Sequence, residues 1–199
     1  MTTTPEPTDL DAFVYSRQPG YDETATRAAF AGAVPLRTIV IFCYDPRAAA
    51  IPTQLAELWP DEIYPGDLIL DDHGNKVGST ATIFPIVVAG GRATDALRSI
   101  TIGHHLFGLQ RVVVVHHTNC GTSSFTPRGL LEAYRTEEGI DLSNMYSSDS
   151  LAIGHLETSL SYDVNLLRRS PGIPASVEII GMVFDIDRNE FTVLTPPGG

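Results

Sequence analysis

The chain has 199 residues, 43% hydrophobic and 19% charged, the composition of a globular protein large enough for one well-filled core. Thirteen Lys and Arg against 24 Asp and Glu give a formal charge of −11, which disfavours nucleic acid and anionic membrane surfaces as main partners. No apolar stretch approaches the ~18 residues needed to span a bilayer, and the acidic start lacks the features of a targeting peptide, so a cytoplasmic chain is expected.

Residues 1–20, rich in Thr, Pro and Asp, show no periodicity and read as an arm that wraps something. Residues 21–33 join an acidic start to strong helix formers and predict a short helix. The run 37–42 predicts a buried strand, and 48–58 a helix whose start Pro52 makes irregular. Two short strands around a Gly74-Asn75 turn are expected within 67–83, as a hairpin projecting near the site described below. Residues 84–88 predict a strand ended by Ala89-Gly90-Gly91. Between 93 and 107, apolar residues recur in the rhythm of an amphipathic helix, stopped by Gly108.

The run 112–115 predicts a second buried strand. Thr126-Pro127 opens a helix through 135. Residues 139–149 read as loop, 151–167 as one long helix, and 176–185 as a last core strand turning into an antiparallel edge at 190–194. Strand and helix alternate throughout. The expected class is α/β, with a mainly parallel central sheet flanked by helices and an antiparallel C-terminal edge hairpin. No repeat, linker or second domain is evident.

The two cysteines carry the chemistry. Cys43 follows the first β-branched run, within Cys43-Tyr44-Asp45-Pro46-Arg47; Cys120 follows the second, within His116-His117-Thr118-Asn119-Cys120-Gly121. Ligands of open α/β sheets bind beyond the carboxyl ends of the strands, so Cys43, His117 and Cys120 are expected on one rim. Two thiolates and one imidazole suit zinc, and three protein ligands leave a fourth position open. Inert buried thiols and a disulfide are the alternatives; the disulfide is uncommon in a reducing compartment and a chain of this size does not need one. Asp45 and Arg47 form either an ordinary strand-end ion pair or part of the site. His116, on the opposite strand face from His117, reads as structural. His104 and His105 read as packing or surface residues, and His73 as solvated.

Cys-x-Asp-x-Arg followed by His-x-x-Cys-Gly, with the Gly-rich segment 89–100 between them, resembles the zinc signature of the β-class carbonic anhydrases. The resemblance spans residues 37–194. It implies one zinc per subunit held by Cys43, His117 and Cys120, in a single catalytic domain, residues 34–199. It implies a homodimer or dimer of dimers, with residues 1–33 packing on a partner subunit. It further implies an Asp45–Arg47 dyad, in which Arg47 holds the carboxylate and Asp45 accepts a hydrogen bond from water on the metal. The implied reaction is attack of zinc hydroxide on a small neutral gas, foremost the reversible hydration of carbon dioxide to bicarbonate.

Two departures from the family pattern stand out. Val87-Val88 occupies the place where many relatives carry Arg-Asn, and the hairpin at 68–83 lengthens the segment before it. Both are expected at the pocket entrance, with Gly90 and Gly121 lining the pocket beside Val87 and Val88. A drier pocket penalises charged bicarbonate more than a neutral guest. That makes carbonyl sulfide hydrolysis, giving hydrogen sulfide and carbon dioxide, the alternative activity. A non-catalytic zinc-stabilised binding protein is a third reading.

Overall fold

The computed structural model describes residues 10–195, so the first nine residues of the expected arm lie outside the described residues. Residues 10–17 form two short 3-10 turns, and Asp22 then caps helix α1 (Glu23–Ala33) by accepting from the Ala25 amide at 2.8 Å. Strand β1 (Thr38–Cys43) is buried along its whole length. Helix α2 (Ile51–Leu58) starts three residues later than expected. Pro52 falls in its first turn, and residues Pro46–Ala48 make a separate 3-10 turn capped by Asp45.

Strands β2 (Leu68–Leu70) and β3 (Lys76–Ser79) pair antiparallel as a sheet of their own. Then come β4 (Ile83–Val88), a Gly-rich turn, and α3 (Leu97–Phe107), which ends on Gly108 at φ +70°. Strand β5 (Arg111–His117) leads to α4 (Pro127–Ala133), α5 (Ser148–Leu151) and α6 (Leu156–Arg169). The chain closes with β6 (Glu178–Asp185) and β7 (Glu190–Thr195).

The main sheet has the order β4-β1-β5-β6-β7, parallel except for the β6–β7 edge. This is the expected class. Period-two alternation divides β1, β5 and β6 between two faces. Ile39, Ile41, Val112, Val114 and Ile179 pack with α3 and α6 residues such as Ile100, Leu160 and Val164. Val40, Phe42, Val113, Val115 and Phe184 pack with Ile51 and Leu55 of α2 on the other face. The connection leaving β1 therefore runs over one face and the one leaving β5 ends on the opposite face. Such divergence opens a crevice at the carboxyl ends of the two strands.

Two expectations need correction. The helix expected over 151–167 is broken into α5 and α6, because residues 152–155 are drawn aside. Ala152 is extended, and the Ile153 amide donates to the Thr122 carbonyl at 3.1 Å. The hairpin is rooted at the amino ends of β1 and β4, away from the site. The chain flanking it is fixed there by the Thr82 amide, which donates to Ile63 O at 3.0 Å, and by Thr38 and Thr82, which both donate to the buried Glu62 carboxylate. Alternation in sequence identifies a hairpin but not the end of the sheet from which it hangs.

Candidate metal centre and cavity

Cys43 is the last residue of β1 and His117 the last of β5; Cys120 follows after one turn, where Asn119 takes φ +54°. The ligand atoms of Cys43, His117 and Cys120 all lie within 4.8 Å of one another, and all three residues are buried. The two sulfurs are 3.8 Å apart and both cysteines are free, far from the ~2.05 Å of a disulfide. Two sulfurs bound at about 2.3 Å to one tetrahedral ion stand about 3.8 Å apart.

The imidazole is prepared in the same sense. His117 Nδ1 donates to the Thr118 carbonyl at 2.9 Å, which turns the Nε2 lone pair toward the sulfurs. That Nε2 is buried without a hydrogen-bond partner. A buried, unpartnered nitrogen beside two thiols could hold a metal ion, and the donor set fits tetrahedral zinc with one position to spare.

The Gly-rich turn closes over these strand ends. Gly91 has φ +68°, and a Cβ there would stand 2.5 Å from Val115 O; Gly90, at φ +64°, would meet the Thr122 hydroxyl at 2.6 Å. Thr122 Oγ1 lies 3.1 Å from Cys120 Sγ, and the Asp45 amide donates to Cys43 Sγ at 3.4 Å. Burial pushes the Cys43 thiol up, helped by the neighbouring Cys120 sulfur and opposed by the Asp45 amide. Burial also pushes Cys120 up, but the neighbouring His117 imidazole and the hydroxyl and amide of Thr122 outweigh it and bring the thiol down to about 7. The His117 imidazole is lowered by burial and raised more by Cys120, so its net shift is upward. The two shifts are coupled, and a metal bound here would displace the proton from the thiol.

Asp45 and Arg47 meet in a fork. Arg47 Nε and Nη2 donate to the two carboxylate oxygens at 3.0 and 2.7 Å, and the Arg47 amide adds a bond at 3.0 Å. These bonds hold the Asp45 carboxyl well below the usual carboxylate range. Arg47 Nη2 also donates to Asn119 O at 3.0 Å, so one guanidinium ties the turn after β1 to the turn after β5. Asp45 is beside the three ligand residues but not within their cluster.

Cys43, Asp45 and Gly121 line a cavity of about 580 Å³ together with the apolar side chains of Phe125, Leu142 and Leu151. Gly90 is not among the residues lining this cavity; it packs against Thr122 and Ile153. Val87 and Val88 are not among the lining residues. β4 is the edge strand of the sheet; Val87 is 49% exposed on it, and Val88 packs against the core opposite Cys43.

Sequence reasoning missed one set of groups. Arg92, only 2% exposed, also lines the cavity and donates through Nε and Nη2 to the buried Asp163 at 2.8 and 3.3 Å. His116 Nε2 lies 3.0 Å from the same carboxylate, so His116 is structural, as expected. A signal existed: Asp163 falls on the stripe of α6 that holds Leu160, Val164 and Leu167, where a carboxylate needs a partner.

No protein-family model matches the chain. It is 28% identical over 102 residues to a protein of Mycobacterium tuberculosis named β-carbonic anhydrase 1, covering 51% of this chain and 60% of that one. It is also 28% identical over 125 residues to a carbon disulfide hydrolase of Acidithiobacillus thiooxidans, covering 55% and 61%. The matches thus span about three fifths of the length of these curated relatives. Among solved structures, the carbonic anhydrase of Streptococcus mutans superposes with a TM-score of 0.60 at 26% identity, over 79% of this chain and 81% of that one. The chain is thus similar in sequence to a β-carbonic anhydrase and a carbon disulfide hydrolase, and in fold to a carbonic anhydrase.

Proposed function

We propose that this protein is a zinc enzyme that adds water to a small linear electrophile, foremost carbon dioxide, giving bicarbonate reversibly. The observation that carries the reading is the buried Cys43–His117–Cys120 cluster, with sulfurs one tetrahedral edge apart and an unpartnered Nε2, beside a cavity. One zinc per chain, held by those three residues, would supply an electrophilic centre that lowers the pKa of water to near neutrality.

The chain's own residues do the rest. Asp45, ionised and acceptor-only, takes a hydrogen bond from the attacking water and orients its lone pair toward the gas. Arg47 fixes the Asp45 carboxylate through two parallel bonds and keeps it off the ligand cluster. Gly121 leaves the backbone after Cys120 open to the substrate, with no atom within 4 Å of where a Cβ would stand.

Carbonyl sulfide hydrolysis is the second reading. The apolar side chains Phe125, Leu142 and Leu151 in the cavity lining favour it, as does the similarity to carbon disulfide hydrolases. Side-by-side assays of the zinc-loaded protein for carbon dioxide hydration and sulfide release separate the two. Rapid hydration without sulfide release leaves the first reading; sulfide release from carbonyl sulfide as the faster reaction selects the second. Full zinc occupancy with turnover of neither gas refutes both and leaves a zinc-stabilised binding protein.

A cytoplasmic location accords with two free thiols acting as ligands, which a reducing compartment preserves. No helix among the described residues is long and apolar enough to cross a membrane. We read the exposed apolar side chains Leu10, Phe13, Leu68 and Leu70 as a face covered by a second copy in a homodimer or dimer of dimers.

A further inference from the structure

We propose that Arg92 is a positioning residue that clamps the inner wall of the cavity, and that this clamp sets how tightly the substrate gas is captured. The proposal rests on the cavity being the substrate site of the function proposed above. The wall in question is α5 with the residues that follow it. α5 is four residues long and buries none of them, so neither helix propagation nor an apolar anchor of its own holds it. Yet Ser150 and Leu151 face the cavity, and Ile153, just beyond, packs on Cys43 and Cys120.

Arg92 supplies the missing restraint. Its Nη2 donates to Asp149 O at 2.7 Å and its Nη1 to Ala152 O at 2.9 Å. These carbonyls belong to the end of a helix, where no intrahelical donor reaches them. The guanidinium is itself held from behind by Asp163 of α6, and Asp163 meets His116, the residue before the ligand His117 on β5. One planar fork therefore joins the Gly-rich turn, the cavity wall, α6 and the ligand strand. A buried ion pair of this kind is weak evidence for stability, since apolar replacements are often neutral. Its geometric consequence is specific: Lys has no planar fork and cannot serve Asp163 and both carbonyls together.

The test uses the full-length, zinc-loaded protein and its Arg92→Lys variant. For the variant, the proposal expects one zinc per chain, at least tenfold faster amide exchange at 148–153, and unchanged protection in β1 and β5. KM for whichever gas the wild type turns over should rise about fivefold or more, with kcat within twofold. Leu151→Ala should raise KM similarly, without faster exchange. Unchanged exchange at 148–153, a uniform rise across the whole chain, or a loss in kcat at constant KM would overturn it. Should Arg92→Lys not fold, the wild type alone decides. Amides 148–153 must then open together with α6 around Asp163; opening with the 139–147 loop instead refutes the clamp. Absence of turnover in the wild type defeats the proposed function, while the exchange data still judge the clamp.

Discussion

Replacing Cys43 by Ser tests the metal centre where its geometry is most specific. Binding free energies of structural zinc are about 10–16 kcal/mol, shared among the ligands, so one ligand among three or four accounts for roughly 3–4 kcal/mol. Serine keeps the volume and a polar atom but is a neutral alcohol at working pH, and it cannot supply the charge of a thiolate. The 3.8 Å edge between Cys43 and Cys120 is also that of two sulfurs on one ion, and a shorter side chain breaks it. A loss of about 3 kcal/mol is more than a hundredfold in zinc affinity. Competition against a chromophoric chelator, with metal analysis of the dialysed protein, measures it. Cys43 is 2% exposed within a continuous core strand, so circular dichroism must show the fold retained. A folded Cys43→Ser protein that binds one zinc with wild-type affinity would refute the three-ligand site.

Three further outcomes follow from the same geometry. Asp45→Ala should keep zinc but lose about 10²-fold or more in kcat, the scale of a positioned proton acceptor; an unchanged rate in a stopped-flow assay removes Asp45 from the mechanism. Gly91→Ala combines a positive φ, costing about 1–2 kcal/mol, with a Cβ 2.5 Å from Val115 O. Overpacking adds about 1–3 kcal/mol, so Tm by scanning calorimetry should fall by about 10 °C, and a fall under 2 °C contradicts the close approach. In chelator-treated protein, Cys120 has its pKa depressed to about 7, so it is ionised above that pH, whereas burial raises Cys43 above the ordinary thiol range and keeps it protonated there. Iodoacetamide should therefore label Cys120 with a rate rising through about pH 7 and Cys43 only at higher pH; mass spectrometry showing the reverse order contradicts the assignment.

The fold was legible because its decisive strands are buried on both faces. Residues 39–42 and 112–115 are apolar at odd and even positions alike, and such runs, ended by polar turns, stand out in a sequence. The cluster followed from them, since parallel strands bring their carboxyl ends to one rim. What the sequence could not convey was where local pieces attach. Nothing in the alternation of residues 68–79 tells that the chain flanking them is tied by Glu62 to the amino ends of the strands.

The failed prediction of a single helix over 151–167 has the same origin as the missed Arg92. Local pattern favours helix through residues 152–155, with Gly154 only a modest penalty of about 1 kcal/mol. The Thr122 carbonyl and the Arg92 guanidinium, 31 or more positions away in sequence, each claim a backbone group there and win. An arginine after two glycines reads as a surface cation, while a carboxylate on the apolar stripe of α6 reads as an error in the pattern. Each looks unremarkable alone, and only the pairing of Arg92 with Asp163 explains why the helix must break where the cavity wall begins. A break placed by contacts so distant is a feature of the site rather than of the helix. The order of the cavity wall, read by amide exchange, is accordingly expected to respond to Arg92 and not to a change such as Leu151→Ala within it.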